Sequence, residues 1–260
     1  MEEEILFMNH KIFQSSVVGY KNILKNSNSQ DYLDYKILDR AIICTVADGH
    51  SGEFFKYSDT GSKLACHCAI EILEGLIDIP KDNILEQLET GTIQKKIYDR
   101  WMHLVDENYK VSNPVVFKTE YLKYSTTLIS TLITEKFRLY LKIGDGNVVS
   151  ENDGTFKKII NTKNKSIVDS LGRYDSYQNI MYYIEDINKS KVNTIILFTD
   201  GYENSFRENE KLYKSLDTTI KNYNRSIFSR RILKKGYKAY LNQLSQSTSY
   251  DDISIIFIMM

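Results

Sequence analysis

The sequence predicts an α+β fold in which helices cover a two-layer β-sandwich. Three observations support this prediction: strand-like and helical segments are grouped along the chain, the strand-like segments are strongly apolar, and neither an internal repeat nor a low-complexity linker divides the chain. Grouped strands favour antiparallel pairing, since βαβ units would alternate strands with helices. We expect one domain over residues 1–260, because a chain of this length can bury a large core.

Strands are predicted where β-branched and aromatic residues cluster between turn residues. The segment Arg40–Ala47 is apolar at almost every position, which indicates burial on both faces of its strand. The Asn-Asp-Gly run at residues 152–154 is typical of a tight turn and predicts a hairpin. The predicted strands are Lys11–Tyr20, Arg40–Ala47, Thr126–Thr134, Arg138–Ile143, Asn147–Glu151, Lys157–Ile160, Asn179–Ile184, Val192–Phe198 and Ile253–Met260.

Helices are predicted where apolar residues recur at a spacing of three to four. The predicted helical segments are Gly61–Ile77, Asn83–Val111, Glu208–Lys221 and Arg231–Leu244. The polar stretch from Asn161 to Ser176 is predicted to be a loop, and its Lys- and Asn-rich part, Asn161–Lys165, is expected to be solvated.

Composition and charge disfavour several classes of protein. The 34 Lys and Arg residues balance 34 Asp and Glu residues, so the chain lacks the basic character of nucleic-acid or anionic-membrane binders. The apolar run at residues 253–260 is far shorter than the roughly 20 residues that span a bilayer. The start Met-Glu-Glu-Glu differs from the basic start of a signal peptide. We therefore expect a cytoplasmic protein with no nucleic-acid or membrane partner.

Three cysteines, Cys44, Cys66 and Cys68, form an odd and sparse set that favours a reducing compartment. The run Cys66-His67-Cys68 carries metal-ligating side chains, but it lies in a predicted helix. Successive side chains on a helix point about 100° apart, so these three cannot close one tetrahedral site. We expect both cysteines of this run to pack in the core.

Aspartate stands at the end of four strand-like segments, usually beside a glycine. These residues are Asp48, Asp145, Asp200 and the pair Asp251-Asp252. A single Asp-Gly is most simply a turn. Four acidic strand ends are different, because carboxylates on neighbouring strands would converge on one rim, where their repulsion requires a cation. Oxygen ligands without a Cys or His cluster select a hard ion, Mg²⁺ or Mn²⁺.

These segments resemble the metal-dependent protein phosphatases of the PPM/PP2C family over about residues 16–260. The matching segments, in family order, are Asn28–Asp31, Val46–Gly52, Ser125–Leu128, Ile143–Gly146, Phe198–Gly201 and Asp251–Ser254. The pair Gln30-Asp31 and the segment Lys56–Ser62 resemble the stand-alone bacterial branch. The resemblance implies a PP2C-like central antiparallel β-sandwich flanked by helices on both sides.

The resemblance also implies a catalytic centre with two Mn²⁺ or Mg²⁺ ions, in which a water between the ions attacks phosphorus. Asp48 matches the bridging ligand, and Gly49 offers its carbonyl oxygen to the second ion. His50 matches the proposed general acid, which protonates the leaving Ser or Thr oxygen. The other matches are Asp200 and Asp251 for the first ion, Asp31 near the second, and Asp145 for a weaker third ion.

Two departures from the family pattern concern the second ion and the substrate phosphate. Gln30 stands where many members carry Glu, so it offers a carbonyl oxygen without a charge. The segment Lys25–Ser29 lacks the Arg that many members use to grip phosphate, and Lys25 supplies only a point charge. Lys25 and Gln30 are the candidate phosphate-binding residues.

The leading hypothesis is a monomeric Mn²⁺- or Mg²⁺-dependent protein serine/threonine phosphatase. Its implied partners are phosphorylated Ser/Thr proteins and a cognate Ser/Thr kinase. The alternative is a catalytically weak or inactive domain that binds phosphoproteins, suggested by Gln30 and the missing Arg. A third hypothesis is a hydrolase of small phosphorylated metabolites. Serine-hydrolase and NTPase functions are disfavoured because the sequence has neither a Gly-x-Ser-x-Gly elbow nor a phosphate-loop Gly-Lys-Ser/Thr.

Overall fold

The computed structural model describes residues 10–112, 119–161 and 168–260, and these residues form ten strands and seven α-helices. The strands are β1 (Lys11–Val17), β2 (Asp31–Leu38), β3 (Ala41–Asp48), β4 (Leu128–Thr134), β5 (Phe137–Ile143), β6 (Asn147–Asn152), β7 (Thr155–Lys158), β8 (Met181–Asp186), β9 (Thr194–Phe198) and β10 (Ile253–Met259). The α-helices are α1 (Tyr20–Leu24), α2 (Ser58–Glu74), α3 (Lys81–Glu89), α4 (Thr92–Ser112), α5 (Asp200–Glu203), α6 (Asn209–Arg225) and α7 (Ile227–Leu244).

The strands form two five-stranded sheets in which every recorded pair is antiparallel. The first sheet has the order β1-β10-β9-β6-β7, and the second has the order β2-β3-β4-β5-β8. The chain termini of the described region meet in the first sheet, where β1 pairs with β10 along its whole length. The antiparallel α+β fold predicted from the sequence is confirmed.

The layers follow from the alternation of side chains along each strand. On β3, Ile42, Cys44 and Val46 face the layer between the two sheets, together with apolar residues of β9 and β10. The intervening residues Ala41 and Ile43 face the opposite way. Because β3 packs on both faces, it is apolar at nearly every position, as the sequence predicted.

Helices cover the outer face of each sheet. Helices α2, α3 and α4 bury the outer face of the second sheet, where Trp101 is fully buried and its Nε1 donates to the Gly61 carbonyl oxygen at 3.0 Å. Helices α6 and α7 cover the first sheet, where the rings of Phe13 on β1 and Tyr237 on α7 meet at 4.9 Å between centroids. The sandwich is therefore flanked by helices on both sides.

Four elements differ from the sequence predictions. Helix α1 is missed because five residues are too few to show a periodic pattern, and its first residue, Tyr20, falls in the first predicted strand. Strand β2 is missed because it is half exposed and carries charged residues, so it lacks the apolar signal of β3. The short helix α5 is missed because one turn shows no periodicity. The segment predicted as one helix, Asn83–Val111, is two helices, and Gly91 between them has a φ of +74° that favours glycine.

Other expectations concern the cysteines, the membrane and one loop. Cys66 and Cys68 are fully buried in the core beneath the second sheet, as expected, and both are free. No helix among the described residues is both long and apolar enough to span a membrane. Most of the loop predicted to be solvated, residues 162–165, lies outside the described residues, as does the acidic start of the chain.

Candidate metal centre

Three predicted ligand residues meet at one rim of the sandwich. Asp48 is the last residue of β3, Asp145 lies in the turn after β5, and Asp200 is the first residue of α5, directly after β9. One carboxylate oxygen from each lies within 4.8 Å of the other two. Since β3 and β5 belong to one sheet and β9 to the other, the three carboxylates come from both sheets and meet at the rim between them.

Asp31 extends this group. It lies directly opposite Asp48 in the β2–β3 register. Its Oδ2 accepts a hydrogen bond from Thr199 Oγ1 at 2.7 Å, whereas its buried Oδ1 has no hydrogen-bond partner among the described residues. The Oδ1 of Asp200 is also buried and has no partner in the same part of the chain. Such orphaned carboxylate oxygens are costly unless a cation binds them, and an all-carboxylate set suits Mg²⁺ or Mn²⁺.

Asp251 lies at the edge of the cluster, just before β10. Its negative charge raises the pKa of Asp48 and Asp200, although burial is the largest cause of both shifts. The Oδ1 of Asp251 lies 2.5 Å from Nζ of Lys21 and accepts the Asp252 backbone N–H at 2.9 Å. Asp251 is therefore next to the other carboxylates but is paired with an ammonium group.

The backbone around Asp48 is fixed by the neighbouring strand. The Asp48 N–H donates to Thr127 Oγ1 at 3.0 Å, and its carbonyl oxygen accepts from the Thr127 N–H at 2.8 Å and from Thr126 Oγ1 at 3.1 Å. A Cβ on Gly49 would lie only 2.5 Å from the Ser58 carbonyl oxygen, so glycine is required there. These contacts hold the Asp48 carboxylate at the rim.

The acidic cluster binds protons tightly when no cation is present. Burial raises the pKa of Asp200 from 3.8 to about 6. Burial, followed by the charge of a neighbouring carboxylate, raises the pKa of Asp31 and of Asp48, and burial raises the pKa of Asp145. Cation binding must therefore release protons, because carboxylate ligands bind in their ionised form.

Metal-free Asp200→Asn protein is expected to melt above the wild type at about pH 7.5, by roughly 3–6 °C. A raised carboxyl pKa means that the folded state binds more protons than the unfolded state between about pH 4 and 6, so the wild type loses stability as the pH rises through 6. At about pH 5 the Asp200 carboxyl of the wild type is protonated, so the difference in melting temperature between the two proteins should shrink. Thermal melts in EDTA test this, with the exposed Asp39→Asn as the control. A difference in melting temperature that does not change with pH would contradict the prediction.

Asp252, which sequence reasoning leaves without a role, anchors two segments beside the site. It is almost fully buried. Its Oδ1 accepts the Gly19 N–H at 2.5 Å, and its Oδ2 accepts the Gln30 N–H at 2.7 Å and an Asn22 Nδ2 hydrogen at 2.9 Å. These bonds hold α1 and the start of β2 against the start of β10. The sequence shows an acidic pair at residues 251–252 but not that its members face different neighbours.

The two candidate phosphate-binding residues occupy different positions. Gln30 Nε2 donates to the His50 carbonyl oxygen at 2.8 Å and to Ser58 Oγ at 2.9 Å, so its amide hydrogens support the His50 loop. Lys25 is exposed at the end of α1 and lines a cleft of about 450 Å³ that also contains Gln30 and Ser51. The amide hydrogens of Gln30 are therefore engaged within the protein, whereas Lys25 is an exposed lysine of the cleft wall.

Lys21 is a site residue that sequence reasoning misses. Besides pairing with Asp251, its Nζ donates to Ser51 Oγ at 2.6 Å. Its backbone N–H donates to the Tyr250 carbonyl oxygen at 3.0 Å, which ties α1 to the segment that carries Asp251. No short motif surrounds Lys21, and only the folded chain shows that its ammonium group reaches the acidic cluster.

Lys21→Met is expected to tighten Mn²⁺ binding by about tenfold, because Asp251 then no longer has to exchange an ammonium partner for the metal. Calorimetric titration of the metal-free protein with Mn²⁺ measures this directly. Lys25→Met is the matched control, since it removes the same charge from the same cleft without a recorded contact to Asp251. Equal changes in the two variants would show that general charge, not the ion pair, sets the affinity.

His50 lies beside the acidic cluster, two residues after Asp48. Its ring packs edge-on against Phe55, with 5.2 Å between centroids. Burial lowers the pKa of His50, Arg173 lowers it further, and the negative charge of Asp145 opposes both. His50, Phe55 and Arg173 line a second cleft of about 390 Å³. The imidazole is thus placed between the carboxylates and an open surface.

Comparison with known proteins identifies the family. The sequence profile of the family described as protein phosphatase 2C matches residues 18–238, which is most of the chain and includes every predicted ligand except Asp251. The chain therefore belongs to the protein phosphatase 2C family, which comprises phosphoprotein phosphatases. A search of curated proteins finds no significant match.

Several solved structures of bacterial phosphatases share the fold. A mutated bacterial serine phosphatase is 17% identical, with a TM-score of 0.64 and coverage of 97% of this chain and 99% of the other. Serine/threonine phosphatase Stp1 from Staphylococcus aureus is 15% identical, with a TM-score of 0.62 and coverage of 97% and 94%. The catalytic domain of serine/threonine phosphatase PstP in complex with two manganese ions is 15% identical, with a TM-score of 0.60 and coverage of 96% and 97%.

Proposed function

We propose that the protein is a Mn²⁺- or Mg²⁺-dependent protein serine/threonine phosphatase. The observation that carries the proposal is the meeting of Asp48, Asp145 and Asp200 within 4.8 Å, in a chain of the protein phosphatase 2C family. The buried, unpartnered oxygens of Asp31 and Asp200 support a cation site at this position. The manganese complex of PstP, which has the same fold, also supports the choice of ion.

In this proposal two divalent ions bind at the acidic cluster, and a third binds more weakly. The residues that would hold them are Asp48, Asp200, Asp251, Asp31 and the carbonyl oxygen of Gly49, with Asp145 for the third ion. When bound, the ions supply positive charge that offsets the phosphoryl oxygens and lowers the pKa of a water molecule. The donor set contains no thiolate or imidazole, which suits hard ions.

The protein's own side chains then have three tasks. The carboxylates fix the cations, the lysines of the 450 Å³ cleft (Lys21 and Lys25) attract the phosphoryl group, and His50 supplies a proton. In the reaction a water molecule releases a proton to solvent as its oxygen bonds to phosphorus, and the bond between phosphorus and the Ser or Thr oxygen breaks. His50 donates its proton to that leaving oxygen, which would otherwise depart as a strongly basic alkoxide.

His50→Gln tests this proton donation because the need for it depends on the leaving group. We expect kcat for a phosphoserine or phosphothreonine peptide to fall about 10²-fold or more, whereas kcat for p-nitrophenyl phosphate should change little. The leaving aryl oxide is stable without a proton, so it serves as the internal control. Equal losses on both substrates would contradict a general-acid role and indicate a role for His50 in positioning.

Turnover with Mn²⁺ also separates this proposal from its alternative. A catalytically inactive phosphoprotein-binding domain predicts no hydrolysis of either substrate at any Mn²⁺ concentration. The proposed phosphatase hydrolyses both, loses activity in EDTA, and prefers phosphopeptides to sugar phosphates. The carboxylates retained at the rim support the catalytic interpretation, since a binding domain has no need of buried, unpartnered acidic oxygens.

A further inference from the structure

A groove of about 500 Å³ runs between α6 and α7 on the outer side of the first sheet. On α7 it is lined by Ile232, Leu233, Gly236 and Tyr237, residues spaced so that they share one face of the helix. Its α6 wall includes Ser215, whose Oγ lies 2.6 Å from the Tyr240 hydroxyl of α7. This hydrogen bond ties the helices together at the groove, so the depression is part of the folded helix pair.

Gly236 stands in the middle of α7 and forms part of the groove. A Cβ built on it would meet no atom within 4 Å, so neither packing nor a turn requires glycine there. Glycine in a helix interior is unfavourable relative to alanine. The absence of a side chain at residue 236 keeps the groove open.

Apolar side chains continue from the groove onto the surface. Phe228 and Ile232, which lie one turn apart on α7, are 73% and 56% exposed. Large apolar residues on one exposed helix face typically mark an interaction surface. With the groove, they provide a cavity for an inserted side chain and apolar surface beside it.

The same helix pair is strongly basic, although the whole chain has no net charge. The basic residues of α7 are Arg230, Arg231, Lys234, Lys235 and Lys238, and α7 contains no acidic residue, but none of these five residues lines the groove. On the α6 wall stand Lys211, which pairs loosely with Glu208 at 3.7 Å, and Lys214, for which the described residues show no acidic partner. The two lysines that line the groove therefore favour an acidic occupant.

We propose that the α6–α7 groove binds an acidic amphipathic helix of a partner protein. An apolar side chain of that helix enters the groove over Gly236, and its carboxylates meet Lys211 and Lys214, the two lysines of the groove wall. A membrane fits less well, because a flat surface gains nothing from a narrow groove. This binding surface is separate from the metal centre, since none of the groove residues belongs to the candidate site.

The test uses a fluorescent peptide of about 18 residues, with Leu and Phe at i, i+3, i+4 and i+7 spacing and Glu elsewhere. Its counterpart carries Lys in place of Glu. We expect saturable binding of the acidic peptide to the full chain, about tenfold or more tighter than that of the Lys peptide. Gly236→Met, which fills the groove, should weaken binding about tenfold, whereas Gly236→Ala should have a much smaller effect. Phosphatase activity should be unchanged in both variants.

Three results would overturn the proposal. Equal binding of the acidic and Lys peptides, or none of the acidic peptide at about millimolar concentration, would remove the role of charge. Binding to phosphatidylglycerol vesicles that persists in Gly236→Met would point to a membrane instead. Sedimentation that shows dimers abolished by Gly236→Met would identify a second copy of the chain as the occupant.

Discussion

The Asp48→Asn variant is expected to lose about 10³-fold or more in kcat on both a phosphopeptide and an aryl phosphate. Asp48 is the residue that links the others: it lies opposite Asp31 in the strand register and within 4.8 Å of Asp145 and Asp200. Asparagine preserves its shape and can still accept a hydrogen bond, but it removes the charge that holds a divalent ion. Calorimetry should show weakened or absent Mn²⁺ binding in parallel with the lost turnover.

The same variant should be at least as stable as the wild type in EDTA, since it relieves repulsion among buried carboxylates. A stable but inactive Asp48→Asn protein would show that the lost turnover does not come from unfolding. Asp39→Asn is the matched control, because Asp39 is an exposed aspartate in the turn at the opposite end of the same two strands. Asp48→Asn protein that is folded and retains near wild-type turnover would contradict the proposed centre.

The Asp252→Ala variant is expected to lower the free energy of unfolding by about 3 kcal/mol or more. The substitution leaves three donors without an acceptor: the buried Gly19 N–H, the buried side-chain amide of Asn22 and the partly buried Gln30 N–H. It also frees α1 and the start of β2 from β10, so we expect Mn²⁺ binding to weaken as well. Urea unfolding in EDTA measures the change in the free energy of unfolding.

Asp39→Ala is the control for removal of an aspartate side chain, and it should change the unfolding free energy by less than about 0.5 kcal/mol. If Asp252→Ala were as stable as this control, the three hydrogen bonds would contribute nothing measurable. If it were destabilised yet bound Mn²⁺ normally, Asp252 would support the fold alone and not the geometry of the centre.

Much of the candidate site could be predicted because its acidic residues lie at the ends of strands. Asp48, Asp145 and Asp200 each stand at the end of a buried strand. Strands β3 and β5 both pair antiparallel with β4, so they run in the same direction and end at the same rim. The hydrogen-bond and ion-pair partners of a carboxylate cannot be predicted in this way. Lys21 and Asp252 reach the site only through contacts with residues far along the chain, and no local pattern encodes those contacts.

The fold, too, could be predicted from the sequence only in part. The buried strands and the long helices were predictable, since burial on one or two faces leaves a periodic signal in the sequence. Strand β2 lacks that signal because it is an edge strand with exposed charged residues, yet it carries Asp31 to its place opposite Asp48. Its register is set by pairing with β3, which is a tertiary interaction.

The most direct test is anomalous diffraction from crystals soaked in Mn²⁺. The ions are expected at the rim, in contact with the carboxylate of Asp48 and with that of Asp200, and the Lys21 ammonium should have moved away from Asp251. Ordered Mn²⁺ found only at other surface carboxylates, with Asp48 and Asp200 free of metal at saturating Mn²⁺, would contradict a cation-dependent phosphatase centre in this protein.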